Sequence, residues 1–401
     1  MKAGSLFTAV RCGALLSLAT TAAIASEPGH LQAGSVYFTP TVDVETRYVD
    51  NLFRSSNHEK DTWVLDIAPR IQAWMQNGAS TYSLSYELKD STYASSHDDD
   101  FTDHQLNLDI HHEFNAKNVL NFAAEYYDGH EERGTGLSEG AVGQLIDEPV
   151  EFERTSFGGD YTVGNRESNG RLQLAAGTVN YDYQNFRNFT QFRDRDQDTL
   201  SGIFFWKVAP KTDILFEVRS ITNDYDTTNP GDAAGSLDSD ELLYLVGVSW
   251  DATAKTSGSI KIGSYDREYD SSARSDDDGF SWEVELSYQP RSYSTLDFGT
   301  RRFSQETNGL GDSINTEEYT GAWNHDWNSR SRTHLGFLLA EDDYSGARRV
   351  DDRVELEASY KFAAKRWLDL GLGYRYEERD SDVRTLNYEL NVFFIEAELS
   401  L

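Results

Sequence analysis

The sequence predicts an all-β fold: a transmembrane antiparallel up-and-down β-barrel of about 18 strands, with 16 as the nearest alternative count. Short turns are expected on the periplasmic side and longer loops outside the cell. Three observations lead there. Apolar and polar residues alternate in segment after segment, the period of a strand whose two faces meet different surroundings. The connections alternate between short and long. Aromatic residues recur just before the short turns, as a girdle at a membrane interface would.

Composition bounds the reading before any element is placed. The 401 residues carry 68 acidic and 36 basic side chains, a formal net charge of −32, yet 13% of them are aromatic. A disordered chain of such charge would be poor in aromatics. The charge also excludes a basic surface for polyanions, so nucleic acid is not an expected partner. With 7 Pro and 30 Gly, and no Pro-rich or Gly/Ser-rich hinge, one continuous architecture is favoured.

The start of the chain sets the compartment. Lys2 and Arg11 flank a short positive start, Cys12 to Ile24 is an apolar and small-residue run, and Ala23-Ile24-Ala25 forms an A-x-A cleavage site. Residues 1–25 therefore read as a secretory signal peptide and residues 26–401 as a single outer-membrane barrel domain. Ala9-Val10-Arg11 before Cys12 does not look like a lipoprotein signal. Cys12 is the only cysteine. Its loss with the signal leaves no thiol for disulfides, thiolate metal sites or nucleophilic catalysis. No later stretch approaches the ~20 apolar residues of a spanning helix; the longest strongly apolar run is Leu242 to Val248.

The alternation can be followed along the mature chain. Val36, Phe38, Val42, Val44 and Tyr48 share a parity, then Trp63, Leu65, Ile67, Ile71, Ala73 and Met75. Tyr82 to Leu88, Leu106 to Phe114, Leu120 to Tyr126, Phe157 to Val163 and Leu172 to Ala176 continue it. The second half repeats it at Phe204 to Val208, Ile214 to Val218, Leu242 to Trp250, Ile260 and Ile262, and Phe280 to Tyr288. Leu296 and Phe298, Tyr319 to Trp327, Leu335 to Leu339, Val354 to Phe362, Leu368 to Tyr376 and Phe393 to Leu401 complete the series. The opposite parity is polar or small, as in Ser83, Ser85 and Glu87. A soluble sandwich also alternates. Connection length separates the two.

Asn77 to Ser80, Asn115 to Asn118, Ala209 to Thr212 and Asn328 to Ser331 are short turns. Between them lie the longer polar stretches Asp50 to Asp61, Asp128 to Pro149, Asp226 to Ser239, Asp270 to Gly279 and Gln305 to Asn315. Phe114, Tyr161, Trp206, Trp250, Tyr288, Trp327 and Phe362 precede short turns. Tyr48, Tyr93, Tyr127, Tyr225, Tyr269, Tyr344 and Tyr376 recur near the long-loop side, where they read as a second girdle. The last strand ends on Leu401 rather than on the usual aromatic.

Asp50-Asn51-Leu52-Phe53-Arg54 follows the first strand, and Ile67-Ala68-Pro69 lies in the second. They resemble the "DN-apolar-[YF]-R" connection and "apolar-x-P" strand of the EpsL-type, or beta-barrel porin 2, outer-membrane barrels associated with exopolysaccharide and capsule synthesis operons. The strand–turn unit from Phe204 to Thr212 resembles that group too, and the likeness spans most of the mature chain. The resemblance implies a passive conduit exporting a polysaccharide across a Gram-negative outer membrane. It also implies a periplasmic export partner, with outer-membrane lipid and lipopolysaccharide around the barrel.

Candidate chemical groups are few. Asp194, Asp196 and Asp198 imitate the start of a calcium loop, but Thr199 and Phe205 stand where Gly and Glu are needed. The runs Asp98 to Asp100 and Asp276 to Asp278 suit solvated turns, or a loose bridge to lipopolysaccharide cations. His111 and His112 are successive strand residues on opposite faces and do not share a metal. His97, His104 and His130 lie near loop acids, as in proteases at barrel rims, without a converging catalytic set. Gly134, Gly136, Gly140 and Gly143 precede no helix, so they do not form a nucleotide loop. No enzyme, cofactor or metal is expected.

Parity assigns a lumen-facing set instead: Asp66, Arg70, Gln72, Arg171, Gln173, Glu217, Arg219, Lys261, Arg267, Glu283, Glu285, Asp297, Arg301, Arg353, Glu355 and Arg375. Glu357, Lys361, Glu396 and Glu398 share it. Such groups could exchange hydrogen bonds with a sliding glycan, and equally they line any wide lumen that must hold water. Export of a polysaccharide is therefore the leading expectation, and uptake of small solutes by diffusion or selection is the alternative. A surface enzyme or adhesin on a barrel scaffold comes third. An inward-folded loop marks uptake porins, and Asp128 to Pro149 is the long candidate.

Overall fold

The computed structural model describes residues 30–140, 143, 146–251 and 255–400. The expected signal peptide lies outside these residues. Eighteen antiparallel strands close into one ring. They are β1 (Val36–Val49), β2 (Thr62–Asn77), β3 (Ser80–Tyr93), β4 (Phe101–Asn115), β5 (Asn118–Glu131) and β6 (Val150–Val163). β7 (Gly170–Tyr183), β8 (Arg195–Ala209), β9 (Thr212–Tyr225), β10 (Ser239–Trp250), β11 (Thr256–Tyr269) and β12 (Asp277–Arg291) continue the ring. β13 (Ser294–Glu306), β14 (Ser313–Asn328), β15 (Ser331–Ser345), β16 (Val350–Lys365), β17 (Leu368–Ser381) and β18 (Tyr388–Ser400) complete it. Each strand pairs with its sequence neighbours, and β18 closes on β1 through pairs such as Glu396 with Glu45. Each contains one of the alternating segments read from the sequence.

Closure leaves no free edge over most of the sheet, so every strand of the barrel satisfies its backbone polar groups within the lipid. The ends of β1 and β18 are unequal, however. Among the described residues, pairing with β18 reaches only Thr41 of β1. A three-residue strand, Leu31–Ala33, folds back on Val36 to Phe38 and pairs with part of the remaining stretch. Its turn carries Gly34 at φ 66°, a region open to glycine.

The period-two pattern sorts the two faces. Trp63, Leu65 and Ile67 of β2 point outward and are exposed, whereas Val64 and Asp66 between them are buried inside. The same exposed apolar band recurs around the barrel at Phe216, Val246, Ile262, Leu286, Leu339 and Leu372. A water-soluble fold would not present such a surface. Facing lipid, it needs no cover. Phe114, Tyr161, Trp206, Tyr288, Trp327 and Phe362 are likewise exposed beside the short turns, forming the expected girdle.

Two expectations are corrected. Of the seven tyrosines near the long loops, only Tyr48 and Tyr376 share the outward parity. Tyr93, Tyr269 and Tyr344 are buried on the lumen face. Tyr127 and Tyr225 have the same inward parity and bond to Asp103 and Glu306 there. Arginines stack on the rings of Tyr127, Tyr225, Tyr269 and Tyr344 inside the mouth, charges that lipid would not allow. The inward face is also less polar than parity alone suggested. Ile203, Leu215, Leu243 and Leu245 are buried on it, in register with long polar neighbours such as Glu217 and Arg219. The aliphatic stems of such side chains cover apolar surface readily.

Candidate functional site

The outer mouth is filled by its own loops. The β1–β2 loop turns inward at Asp50-Asn51-Leu52-Phe53-Arg54, where each residue has a fixed task. The Asp50 carboxylate accepts from the Asn391 backbone and side chain, each at 2.7 Å. Asn51 is fully buried and donates to the carbonyls of Ser55 and Glu389. Leu52 joins Val49, Val64, Tyr93, Leu390 and Val392 in a small apolar core. Phe53 packs at that core's edge, with the Arg133 guanidinium 5.0 Å from its ring centre. Arg54, at φ 46°, reaches Glu377 of β17 at 3.0 Å and the Arg133 carbonyl at 2.8 Å.

The β5–β6 loop spans the opening. Its strand extends to Glu131, so the loop proper is 132–149. Arg133 pairs with Asp99 at 2.8 Å and donates to the carbonyls of Glu148 and Ile146. Ile146, Val150 and Tyr183 form a second apolar core under the loop. Gly134 has φ 77°, and a Cβ there would collide with the Phe53 carbonyl. Gly140, at φ 57°, lies against Leu386 in the same way. Only glycine lets this loop press so closely on its neighbours.

At the tip, Arg349 donates to both oxygens of Glu139, at 2.6 and 2.9 Å. Arg379 of β17 donates to the same carboxylate, and Asn308 of the β13–β14 loop adds a bond at 3.3 Å. Arg349 also pairs with Asp351 and stacks 4.2 Å from the centre of the Tyr344 ring. Glu139 belongs to the β5–β6 loop, while its partners stand near β13 to β17, well around the ring. The loop must therefore cross the lumen. Charged bidentate pairs of this kind are strong and directional.

A second set of ties lies beside this one, reaching the same β13–β14 loop through Asp312. Arg274 of the β11–β12 loop donates to the Ser236 and Gly235 carbonyls, at 2.7 and 2.8 Å. It pairs with Asp232 and Asp312 as well. At the loop 132–149 junction, burial acts to raise Glu132, but Arg54 and then Arg47 outweigh it and hold its carboxyl down at about 2.

Below the mouth, the wall places the lumen-facing candidates as follows. Glu217, Arg219, Lys261 and Glu283 converge in one network, with Arg219 to Glu283 at 2.9 Å and Lys261 to Glu217 at 3.0 Å. Arg267 sits between Glu241 and Glu306. Asp66 accepts from Arg47 at 2.8 Å, and Gln72 donates to Ser83. Arg70 stands in register with Glu87 and Gln173 with Ile203. Arg171 pairs with Asp213 at 3.4 Å and Arg301 with Glu318 at 3.1 Å. Arg353 meets Asp342 and Glu355, and Arg375 meets Glu45 and Glu357. Glu285 and Asp297 lie in register with Gly299 and Ser287. The set is thus spread around the wall, apart from the four-residue network.

Sequence reasoning missed Glu139, Arg349 and Arg379. Only the glycines of the loop hinted that it is folded tightly. The other candidates behave modestly. Asp194 is tied to Arg187 and the Tyr183 amide, while Asp196 and Asp198 lie within β8. His130 meets Asp103 at 2.9 Å. Among the described residues no group of His, Cys, Asp and Glu could hold a metal ion.

Residues 26–401 match the family model described as "Putative beta-barrel porin 2". No curated protein matches the chain. Among solved structures it is similar to OccK2 (OpdF) of Pseudomonas aeruginosa, at 11% identity and TM-score 0.48, over 93% of this chain and 100% of that one. It is also similar to OccAB4 of Acinetobacter baumannii, at 9% identity and TM-score 0.47, over 94% and 100%.

Proposed function

The chain belongs to the beta-barrel porin 2 family, and from that premise we propose that this outer-membrane porin admits small solutes selectively. The observation that carries the reading is the loop 132–149, tied across the lumen through Glu139, Arg349 and Arg379. A polymer leaving the cell would hold such a loop displaced throughout its passage. A small solute needs only a gap or a brief opening. The charged wall then acts on one solute at a time, through hydrogen bonds and fixed charges. An 18-stranded ring is wide enough to enclose a watery lumen, so the loops rather than the barrel set the passable size.

Export of an exopolysaccharide is the second reading. It is favoured by the Asp50 to Arg54 motif that underlies the resemblance. Flux assays on the purified protein in liposomes, with a gene-deletion strain beside them, separate the two. The expected result is flux of small solutes, exclusion of long dextrans, and normal surface polysaccharide in the deletion strain. Loss of surface polysaccharide with small-solute uptake intact would overturn the uptake reading.

A further inference from the structure

We propose that the periplasmic part of the lumen wall binds organic cations that carry primary ammonium groups, with linear diamines as the best fit. This rests on the reading that solutes cross this lumen, and it names their chemical class.

The site is built on the four strands around the closure of the barrel. Glu398 of β18 stands in register with Asp43 of β1 on one side and with Asp369 of β17 on the other. Glu396 is flanked in the same way by Glu45 and Gly371. Lys361 of β16, in register with Gly371, places its ammonium 3.0 Å from Glu398 and 3.3 Å from Glu396. The protein's own lysine thus shows how a primary ammonium sits among these carboxylates. A single ammonium faces Asp43, Asp369, Glu396 and Glu398. The neighbouring Arg375 is held by Glu45 and Glu357, and Arg332, paired with Asp326 at 2.6 Å, adds its charge near Asp369.

A second observation points to a missing partner. Asp369 is only 7% exposed, and its buried Oδ1 has no hydrogen-bond partner. A buried carboxylate oxygen left without a donor is costly, and it lies within this cluster. A turn of the Asp369 side chain would present that oxygen to a donor in the lumen.

The geometry favours an ammonium over a metal ion. Calcium needs six to eight oxygens converging at about 2.3 to 2.6 Å, and no such convergence exists among the described residues. Adjacent strands stand about 5 Å apart. That spacing suits an ammonium, which spreads three donated bonds over separate acceptors. The two ammonium groups of one ligand would meet Asp369 and Asp43, which flank Glu398 on its two sides. Gly371 keeps this arrangement open, because a Cβ there would run into the Glu396 carboxylate.

Calorimetric titration of the purified full-length barrel in detergent tests the site with cadaverine, set against propylamine and magnesium chloride. Cadaverine should bind at least tenfold more tightly than either. The Asp369→Asn/Glu398→Gln double variant should lose at least tenfold in that affinity while keeping its heat-modifiable gel mobility. Should the double variant fail to fold, Gly371→Ala, which displaces Glu396, should weaken binding in the same direction. Equal affinity for the three ligands, or unchanged cadaverine binding in a folded variant, would overturn the proposal. Bilayer conductance recorded in parallel separates the two levels. Conductance without cadaverine binding removes the site and leaves the porin reading. Binding without conductance removes the reading and leaves the site.

Discussion

Glu139 is where the mouth is most sensitive to a single atom. Arg349 and Arg379, its partners, have side chains only 2% and 7% exposed. Removing the Glu139 charge leaves Arg379 without a carboxylate while Arg349 keeps Asp351, and a buried charge so stranded typically costs about 3 to 5 kcal/mol. In Glu139→Gln the loop has an alternative to unfolding, which is to swing out and hydrate both guanidinium groups. The expected outcome is an open probability raised at least tenfold in planar bilayers, with barrel mobility on gels unchanged; a variant that stayed closed would show that the latch does not hold the loop. Acid should act more weakly. The Glu132 carboxyl is held down at about 2 against an ordinary value of 4.5. Its contribution to loop anchoring is therefore complete above about pH 4.5 and fades as pH falls towards 2. Its side chain remains 38% exposed, so solvent screens part of the effect. Conductance should be flat from pH 7 to 5 and rise only below about pH 4, which a pH series in bilayers would read directly.

Among the elements, the strands were legible in the sequence and the loops were not. Each strand announces itself through nearest-neighbour alternation, since side chains i and i+2 share one environment. That is why Leu296 with Phe298 sufficed to mark β13. The same rule would have placed Tyr93 inside, because it shares its parity with Ser85, Glu87 and Ser91. Height along the barrel, which the seven tyrosines share, says nothing of the face on which each one stands. No local rule reveals Glu139 with Arg349, which are 210 residues apart and meet only after the ring has closed. The facing assignment can be tested element by element. Val246 and Leu286 point to lipid and are exposed, so arginine at either should cost about 2 to 4 kcal/mol near the midplane. Ser287 points inward beside Asp297, so Ser287→Arg should assemble normally. Yields of heat-modifiable barrel in outer-membrane fractions would compare them, and equal losses at all three positions would refute the facing.

At the scale of the whole molecule, two of the long loops have opposite fates. Residues 226–231 are exposed throughout, whereas Arg133, Gly134 and Ser138 are buried in the mouth. Proteinase K applied to intact cells should therefore cut within 226–231 and spare 132–140. Early cleavage in the latter would show that the mouth stands open at rest. The short strand Leu31–Ala33 has a different significance. A barrel protects itself by having no edge, yet one built from strands of unequal reach still exposes a fringe at its seam, and an unpaired fringe recruits other strands. Here the chain closes part of that fringe with its own preceding residues. Covered in this way, one barrel's seam would offer less of a template to the next.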